Sequence, residues 1–162
     1  MLQNLHVKHL ALIDEVDIEF REGLNILTGE TGAGKSIIIG SVNLALGARF
    51  HGEALRKGAE YGLVELVFKV DSKEQIGRLK ELDVFPEEGM VVVSRRFTEG
   101  RSVSRINGET VGVAKLKAVA EVLIDIHGQH EHQSLLYKKN HLQILDTFAQ
   151  EEVFSLKKKI KD

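Results

Sequence analysis

The residues with the clearest chemical potential form one short glycine-rich stretch, Gly29-Glu30-Thr31-Gly32-Ala33-Gly34-Lys35-Ser36. Glycines let backbone amides approach an anion closely, because no Cβ atom intervenes and positive φ is accessible. Successive amide N–H groups at a helix N-terminus bind phosphate, and the helix dipole favours the negative charge there. The pattern Gly-x-x-x-x-Gly-Lys-Ser therefore predicts a loop that binds the triphosphate of a nucleotide.

Two side chains of this loop add chemistry that the amides cannot supply. Lys35 is predicted to reach the β- and γ-phosphates and to be catalytic as well as nucleotide-binding. The Ser36 hydroxyl is predicted to be a Mg²⁺ ligand. The predicted contacts to ATP and Mg²⁺ run through the loop and one residue beyond it, from Gly29 to Ile37. The alternative interpretation is a glycine-rich turn that carries Lys-Ser by chance.

The pattern requires a buried strand before it and a helix after it. Residues 24–28 are apolar enough for the strand, and residues 35–46 carry a helical apolar pattern that Gly47 is placed to end. Further strands are predicted at residues 2–7, 16–20, 63–70, 90–97, 102–106 and 122–127. Helices are predicted from the Ser72 cap to Leu82 and over residues 113–121. An antiparallel hairpin at Glu99-Gly100 and a turn at Asn107-Gly108 complete the pattern.

Composition narrows the class of protein. The 162 residues predict one domain, and the net charge of −2 does not indicate a generally basic nucleic-acid surface. With no Cys, disulfides and thiolate metal sites are excluded. No signal peptide and no apolar run of membrane-spanning length is present, so we expect a cytoplasmic protein without a membrane partner.

Several segments together resemble one bacterial family. They are Leu5-x-Val7-x-x-x-Ala11-Leu12-Ile13, residues 23–36, Leu46-Gly47-Ala48-Arg49 and residues 124–133. These segments resemble the RecN family of DNA repair proteins, which is similar to the SMC proteins. The resemblance implies an α/β P-loop NTPase fold of the ABC/SMC half-head type. Such a half-head has a mixed sheet, antiparallel N-terminal strands with a hairpin, and the start of a coiled-coil helix.

In that family, the head is assembled from both ends of the chain, and a coiled coil lies between them. Residues 1–137 would form the N-terminal lobe, and the helical stripe from Leu142 to Ile160 places the coiled-coil helix at residues 138–162. The implied partners are the C-terminal half of the same head, a second head in an ATP-sandwiched dimer, and DNA. The implied function is ATP binding for DNA double-strand break repair and recombination, in a bacterial protein associated with the nucleoid.

Hydrolysis requires motifs that the family carries in its C-terminal half. The sequence has no Gly-Gly pair for a signature motif, and Ile126 follows Asp125 where a Walker B strand would need Glu. The resemblance implies that the ATPase is complete only with that half and with head dimerisation. A small P-loop kinase and a non-catalytic nucleotide switch remain alternatives, although a kinase would not end in an open heptad stripe.

Polar residues after the predicted strand at 122–127 complete the implied site. Gln129 takes the place of the Q-loop glutamine, a neutral ligand that reaches Mg²⁺ and the attacking water. Gln133 is the second choice, and an ordinary loop amide is the alternative. His127, His130 and His132 suit hydrogen bonding better than zinc, because their spacing separates them on any regular element.

Arginines are the remaining candidates for contacts with phosphate. Arg56, followed by Lys57-Gly58, occupies the place of the arginine loop of SMC-like heads, which touches phosphate or DNA. A solvated loop charge is the alternative for Arg56 and for Arg49. Four more arginines lie on the predicted hairpin, but strand alternation places Arg95 and Arg96 on opposite faces, so they cannot form one patch.

Overall fold

The computed structural model describes residues 1–28 and 33–126. Its centre is a six-stranded sheet in the order β2-β1-β3-β4-β5-β6. The strands are β1 (Leu2–Leu10), β2 (Ile13–Glu19), β3 (Gly62–Lys69), β4 (Met90–Thr98), β5 (Arg101–Ile106) and β6 (Glu109–Val111). The helices are α1 (Ala33–Ala45), α2 (Lys73–Glu81) and α3 (Val113–Leu123), and a short 3₁₀ turn spans Gly52–Ala54.

One face of the sheet is the core. Along β3, residues Val64, Leu66 and Phe68 are fully buried, and the residues between them are half-exposed. Leu66 lies between Leu5 of β1 and Val93 of β4, so apolar side chains continue across neighbouring strands. Helix α1 packs on β1, β3 and β4, and α3 packs on β5 and on α2. This arrangement fixes α1, the helix that follows the glycine-rich loop.

The predicted turns and caps are confirmed where local chemistry determines them. Ser72 caps α2, and its hydroxyl accepts a hydrogen bond from the Gln75 amide at 3.4 Å. Asn107 and Gly108 both have positive φ, as a two-residue turn between antiparallel strands requires. The Asn107 side chain also accepts from the Val92 amide at 2.8 Å and donates to the Phe85 carbonyl at 2.9 Å. These bonds connect the β5–β6 turn to β4 and to the segment before β4.

Two predicted strands are wrong for the described residues. Residues 24–28 join no ladder, and Leu24 and Ile26 are 88% and 71% exposed. In the segment predicted as a strand at 122–127, the first two residues end α3 and residues 124–126 are unpaired. His127 lies outside the described residues. Both segments are apolar enough for a strand, but no neighbouring strand is present beside them in the described part of the chain.

The sheet is antiparallel at each of its five strand pairings. The antiparallel N-terminal strands and the hairpin predicted for a half-head are therefore confirmed. The parallel pairing that a mixed sheet also needs does not occur within residues 1–28 and 33–126. The coiled-coil helix predicted at residues 138–162 lies outside the described residues, and so do residues 127–137 of the predicted lobe.

Gly47 ends α1 in a Schellman motif. Its amide donates to the Leu44 carbonyl at 3.3 Å, and the Ala48 amide donates to the Asn43 carbonyl at 3.0 Å. The Gly47 φ of 106° is strained for any residue with a side chain, and an added Cβ would lie 2.9 Å from Cγ of Lys117. The prediction that Gly47 terminates the helix is confirmed.

We expect Gly47→Ala to lower the free energy of unfolding by about 1–2 kcal/mol, because alanine must adopt the left-handed conformation. Gly77→Ala is the matched control. Gly77 lies inside α2 with open space around its Cα, so alanine there should stabilise by about 0.5–1 kcal/mol. Urea denaturation of both variants measures the difference, and equal effects would contradict the proposed role of Gly47.

Candidate functional site

The first turn of α1 presents the residues predicted to bind phosphate. The helix begins at Ala33 and Gly34, so Lys35, Ser36 and Ile37 lie in its first turn and a half. Lys35 and Ile37 are half-buried, whereas Ser36 is exposed. The first turn contains no acidic side chain that would neutralise the positive end of the helix dipole. Gly29, Glu30, Thr31 and Gly32 lie outside the described residues.

The C-terminal half of α1 is held firmly on the sheet. Val42, Ala45 and Leu46 are buried, and the hydroxyl of buried Ser41 donates to the Ile37 carbonyl at 2.8 Å. Because this half cannot move without disrupting the core, the position of the first turn is determined by the sheet. Packing of the C-terminal half of α1 therefore determines where Lys35, at the N-terminal end, is placed.

A buried arginine on the sheet forms hydrogen bonds with the C-terminal end of α1. Nη1 of Arg95, on β4, donates to the carbonyls of Leu44 and Ala48 at 2.6 and 2.7 Å. These carbonyls lie at the negative end of the helix dipole, where a cation is stabilising. Arg95 is only 4% exposed, and burial lowers the pKa of its guanidinium. The guanidinium nevertheless remains charged at neutral pH.

The neighbours of Arg95 keep its guanidinium in one orientation. Nε and Nη2 both donate to the Ser102 hydroxyl, at 3.3 and 3.0 Å. The group also lies 5.2 Å from the centre of the Phe97 ring, which in turn contacts Phe50. Arg96 points to the other face, is exposed and lies 4.0 Å from the Tyr61 ring centre. The prediction that the two arginines occupy opposite faces is confirmed, although the sequence did not reveal that Arg95 holds α1.

Arg56 lies in the loop after the 3₁₀ turn, beside the connection between β1 and β2. Nη1 donates to the Leu12 carbonyl at 3.2 Å, and Nε lies 3.8 Å from the Asp14 carboxylate. A cavity of about 300 Å³ opens here, and Tyr61 and Lys57 also line it. Within the described part of the chain, these contacts connect Arg56 to the β1–β2 turn and not to α1. Its predicted role at a phosphate stays a prediction.

Ser36 is the predicted Mg²⁺ ligand that lies among the described residues. The exposed hydroxyl of Ser36, one residue after Lys35, fits a Mg²⁺ ligand because an oxygen donor there is open to a bound phosphate. Gln129 and Gln133 lie outside the described residues, as do His127, His130 and His132. Among the residues that the structure describes, no three His, Asp or Glu side chains are grouped to hold a metal ion. No described helix is long and apolar enough to cross a membrane.

The sequence is similar to one protein family and to curated proteins that carry one name. The AAA domain family matches residues 4–162. The chain is 43% identical over 151 residues to the DNA repair protein RecN of Halalkalibacterium halodurans, covering 92% of this chain and 27% of that protein. It is also 43% identical over 157 residues to RecN of Bacillus subtilis, covering 96% of this chain and 27% of that protein. The chain therefore spans about a quarter of the length of these relatives.

A similar fold occurs among solved ATPase heads. One chain, from work on ATP-driven dimerization and DNA-stimulated activation of SMC ATPases, superposes with a TM-score of 0.63 at 21% identity. The superposition covers 75% of this chain and 78% of that one. At this identity the likeness shows the fold alone, which is that of an SMC ATPase head.

Proposed function

This chain belongs to the AAA domain family and is a RecN-type sequence, and we propose that it binds ATP as the N-terminal part of an SMC-like ATPase head. The whole protein would act in DNA double-strand break repair and recombination. The relatives carry the name of DNA repair proteins, and this chain covers 27% of their length.

The observation that carries the proposal is the first turn of α1. Lys35 and exposed Ser36 lie at a helix N-terminus that has no acidic side chain, directly after the glycine-rich sequence. The helix is fixed at its other end by the sheet and by Arg95. A preorganised cation and hydroxyl at a fixed helix N-terminus favour binding of a triphosphate, because little ordering remains to be done when the ligand arrives.

Four side chains have a proposed role at the triphosphate and its metal ion. Lys35 neutralises charge on the β- and γ-phosphates, and the Ser36 hydroxyl donates an oxygen to Mg²⁺. When bound, Mg²⁺ would neutralise negative charge on the triphosphate. We assign Gln129 to orienting the attacking water and to the same metal ion, and Arg56 to a phosphate contact made in the assembled head.

The proposed partners follow from what this chain lacks in its sequence. It contains no Gly-Gly pair for a signature motif, and its one Asp-Glu pair, Asp14-Glu15, lies within β2, where Glu15 pairs with His6 and Lys8 of β1. The C-terminal part of the head and a second head in an ATP-sandwiched dimer would supply these groups. A bacterial cytoplasmic location near the nucleoid fits a protein that acts on DNA.

We expect the chain alone to bind Mg·ATP but not to turn it over appreciably. The groups that orient water and clamp the γ-phosphate provide most of the electrostatic and positioning terms of phosphoryl transfer. Calorimetry measures binding, and a coupled phosphate-release assay measures turnover with and without the remaining part of the protein. Lys35→Ala protein, purified in parallel, controls for contaminating ATPases.

Two outcomes would contradict this assignment. Turnover by the chain alone near about 1 s⁻¹, the low end for kinases, would favour the small P-loop kinase. Binding with no turnover after the remaining part is added would favour a nucleotide switch that does not hydrolyse.

A further inference from the structure

A separate cavity, of about 110 Å³, opens where the loop between α2 and β4 meets the end of β5, the strand β6 and α3. Its lining combines apolar side chains with carboxylates and one ammonium group. No described residue of α1 lines it, so the cavity is distinct from the proposed ATP site. The lining includes apolar Phe85 and Ile106, the carboxylates of Asp83, Glu87 and Glu109, and the ammonium group of Lys115.

Phe85 is an aromatic side chain that the fold leaves in contact with water. It is 58% exposed, although Val84 beside it and Ile106 across the cavity are only 4% and 3% exposed. An aromatic side chain buries about 150–250 Å² when it is covered, and aromatic residues are enriched in protein interfaces. The exposed ring therefore offers a large apolar area to a partner, next to the end of the core.

The backbone on both sides of this ring is fixed before any ligand binds. The Phe85 carbonyl accepts a hydrogen bond from the Asn107 side chain at 2.9 Å. Pro86 restricts its own φ, and Glu87 and Met90 exchange backbone hydrogen bonds of 2.9 and 2.8 Å that close a tight turn. Little ordering of this loop remains to be done when a ligand arrives, which favours binding.

Carboxylates outnumber cations around the apolar residues. The ammonium group of Lys115 lies 3.9 Å from the Asp83 carboxylate and also donates to the Asp83 carbonyl at 3.1 Å. Glu87 and Glu109 are exposed and make no ion pair within the described part of the chain. Their negative charge is therefore available to a cationic ligand, and it repels the phosphates of nucleic acids.

The positions of these carboxylates suit a polypeptide better than a metal ion. Among the described residues, no three His, Asp or Glu side chains are grouped to hold a metal ion. Glu87 lies two residues after Phe85, and Glu109 is paired with Ile106 across β5 and β6. Charges from two separate segments thus accompany the apolar residues, which is the arrangement of a polar rim around the apolar centre of a protein interface.

We propose that this cavity docks a short cationic segment of a partner protein. An aliphatic side chain of that segment enters the cavity against Phe85, and flanking lysines or arginines pair with Glu87 and Glu109. The size fits, because a cavity of about 150 Å³ holds benzene and one of about 110 Å³ suits a smaller group such as the leucine side chain. This inference goes beyond the proposed function and depends on neither ATP nor DNA, so the two can fail separately.

The test is fluorescence anisotropy with a labelled pentapeptide, Lys-Lys-Leu-Lys-Lys, capped at both ends. A second pentapeptide has serine in place of leucine and keeps the same charge. We expect the leucine peptide to bind the parent chain about tenfold more tightly than the serine peptide, because a buried apolar anchor contributes most of the affinity in such contacts.

Phe85→Ala tests the apolar wall of the cavity and should weaken binding of the leucine peptide by about tenfold. Because Phe85 is 58% exposed, its removal should leave the fold intact. The matched control is Leu12→Ala, which removes another apolar side chain, 75% exposed and outside the cavity. The control should bind within about twofold of the parent chain.

The variant Glu87→Gln/Glu109→Gln tests the charge and should weaken binding by about five- to tenfold at low salt. This loss should shrink in 1 M salt, where the Debye length is only about 3 Å. The matched control, Glu99→Gln/Glu121→Gln, removes two exposed carboxylates that lie outside the cavity, and it should change binding by less than about twofold.

Equal losses in the two glutamine variants would overturn the proposal, because the peptide would then respond to net charge alone. Equal affinity for the two peptides, or no binding of either by the parent chain, would overturn it as well. Displacement of the peptide by millimolar Ca²⁺ at constant ionic strength would assign the cavity to a metal ion instead. A dimer of the parent chain that Phe85→Ala abolishes in analytical ultracentrifugation would assign it to a second copy. If Phe85→Ala does not fold, the two peptides compared on the parent chain decide the question.

Discussion

Arg95→Met is expected to lower the free energy of unfolding by about 2–4 kcal/mol. Methionine retains much of the stem and the apolar contact with Phe97, but it removes all hydrogen bonds to Leu44, Ala48 and Ser102. The Ala48 carbonyl would then lose its Arg95 donor, and the Leu44 carbonyl would keep the 3.3 Å hydrogen bond from the Gly47 amide. A cavity that Arg95 and Ala48 line could admit water to the Ala48 carbonyl, which keeps the expected loss below the sum of the separate bonds.

Arg96→Met is the matched control for this experiment. Unlike Arg95, Arg96 is exposed, and its guanidinium lies over the Tyr61 ring. An exposed cation–π contact contributes about 0.5–1 kcal/mol, so the control should lose no more than that. Urea denaturation of both variants gives the comparison. A loss in Arg95→Met as small as that in Arg96→Met would mean that Arg95 does not hold α1.

The contrast between these two neighbours illustrates what the sequence could predict. Alternation along β4 assigns Arg95 and Arg96 to opposite faces, and the structure confirms this. Alternation cannot say what lies across the buried face, because Leu44 and Ala48 are 51 and 47 residues away along the chain. A charged residue at an inward position of a strand is nevertheless a signal, since such a side chain must find a partner.

Local signals predicted local structure well. Ser72, Gly47 and the pair Asn107-Gly108 determine their own caps and turns through bonds that span a few residues, and all three predictions are confirmed. The two strand predictions that were wrong depended on distant parts of the chain. Residues 24–28 and 122–127 have the composition of strands, but a strand also needs a neighbour to pair with, and composition does not report whether one is present.

The site shows the same division between local and distant information. The spacing of Lys35 and Ser36 after the glycines predicts the start of a helix, and the structure places both residues in the first turn of α1. Arg56 was predicted from its place in the loop, yet its partners are Leu12 and Asp14. Those contacts depend on the packing of the loop against the β1–β2 connection. The residue spacing within the loop contains no information about that packing.

Lys35→Ala is expected to weaken Mg·ATP binding by about ten- to a hundredfold. The substitution removes the one side-chain cation in the first turn of α1 and leaves the helix N-terminus in place. A hydrogen bond to a charged group contributes about 1.5–3 kcal/mol, which converts to this range of affinity. Residual binding should persist, because backbone amides and the helix dipole act on phosphate without the lysine.

Isothermal titration calorimetry measures this change directly, with Lys80→Ala as the matched control. Lys80 is an exposed lysine near the end of α2, so its removal changes the net charge equally but leaves the first turn of α1 untouched. The control should bind Mg·ATP within about twofold of the parent chain, since an exposed charge at a distance is largely screened by salt. Unchanged affinity in Lys35→Ala would refute the phosphate site. Equal weakening in both variants would instead attribute ATP binding to overall charge, and the first turn of α1 would then lose its assigned role.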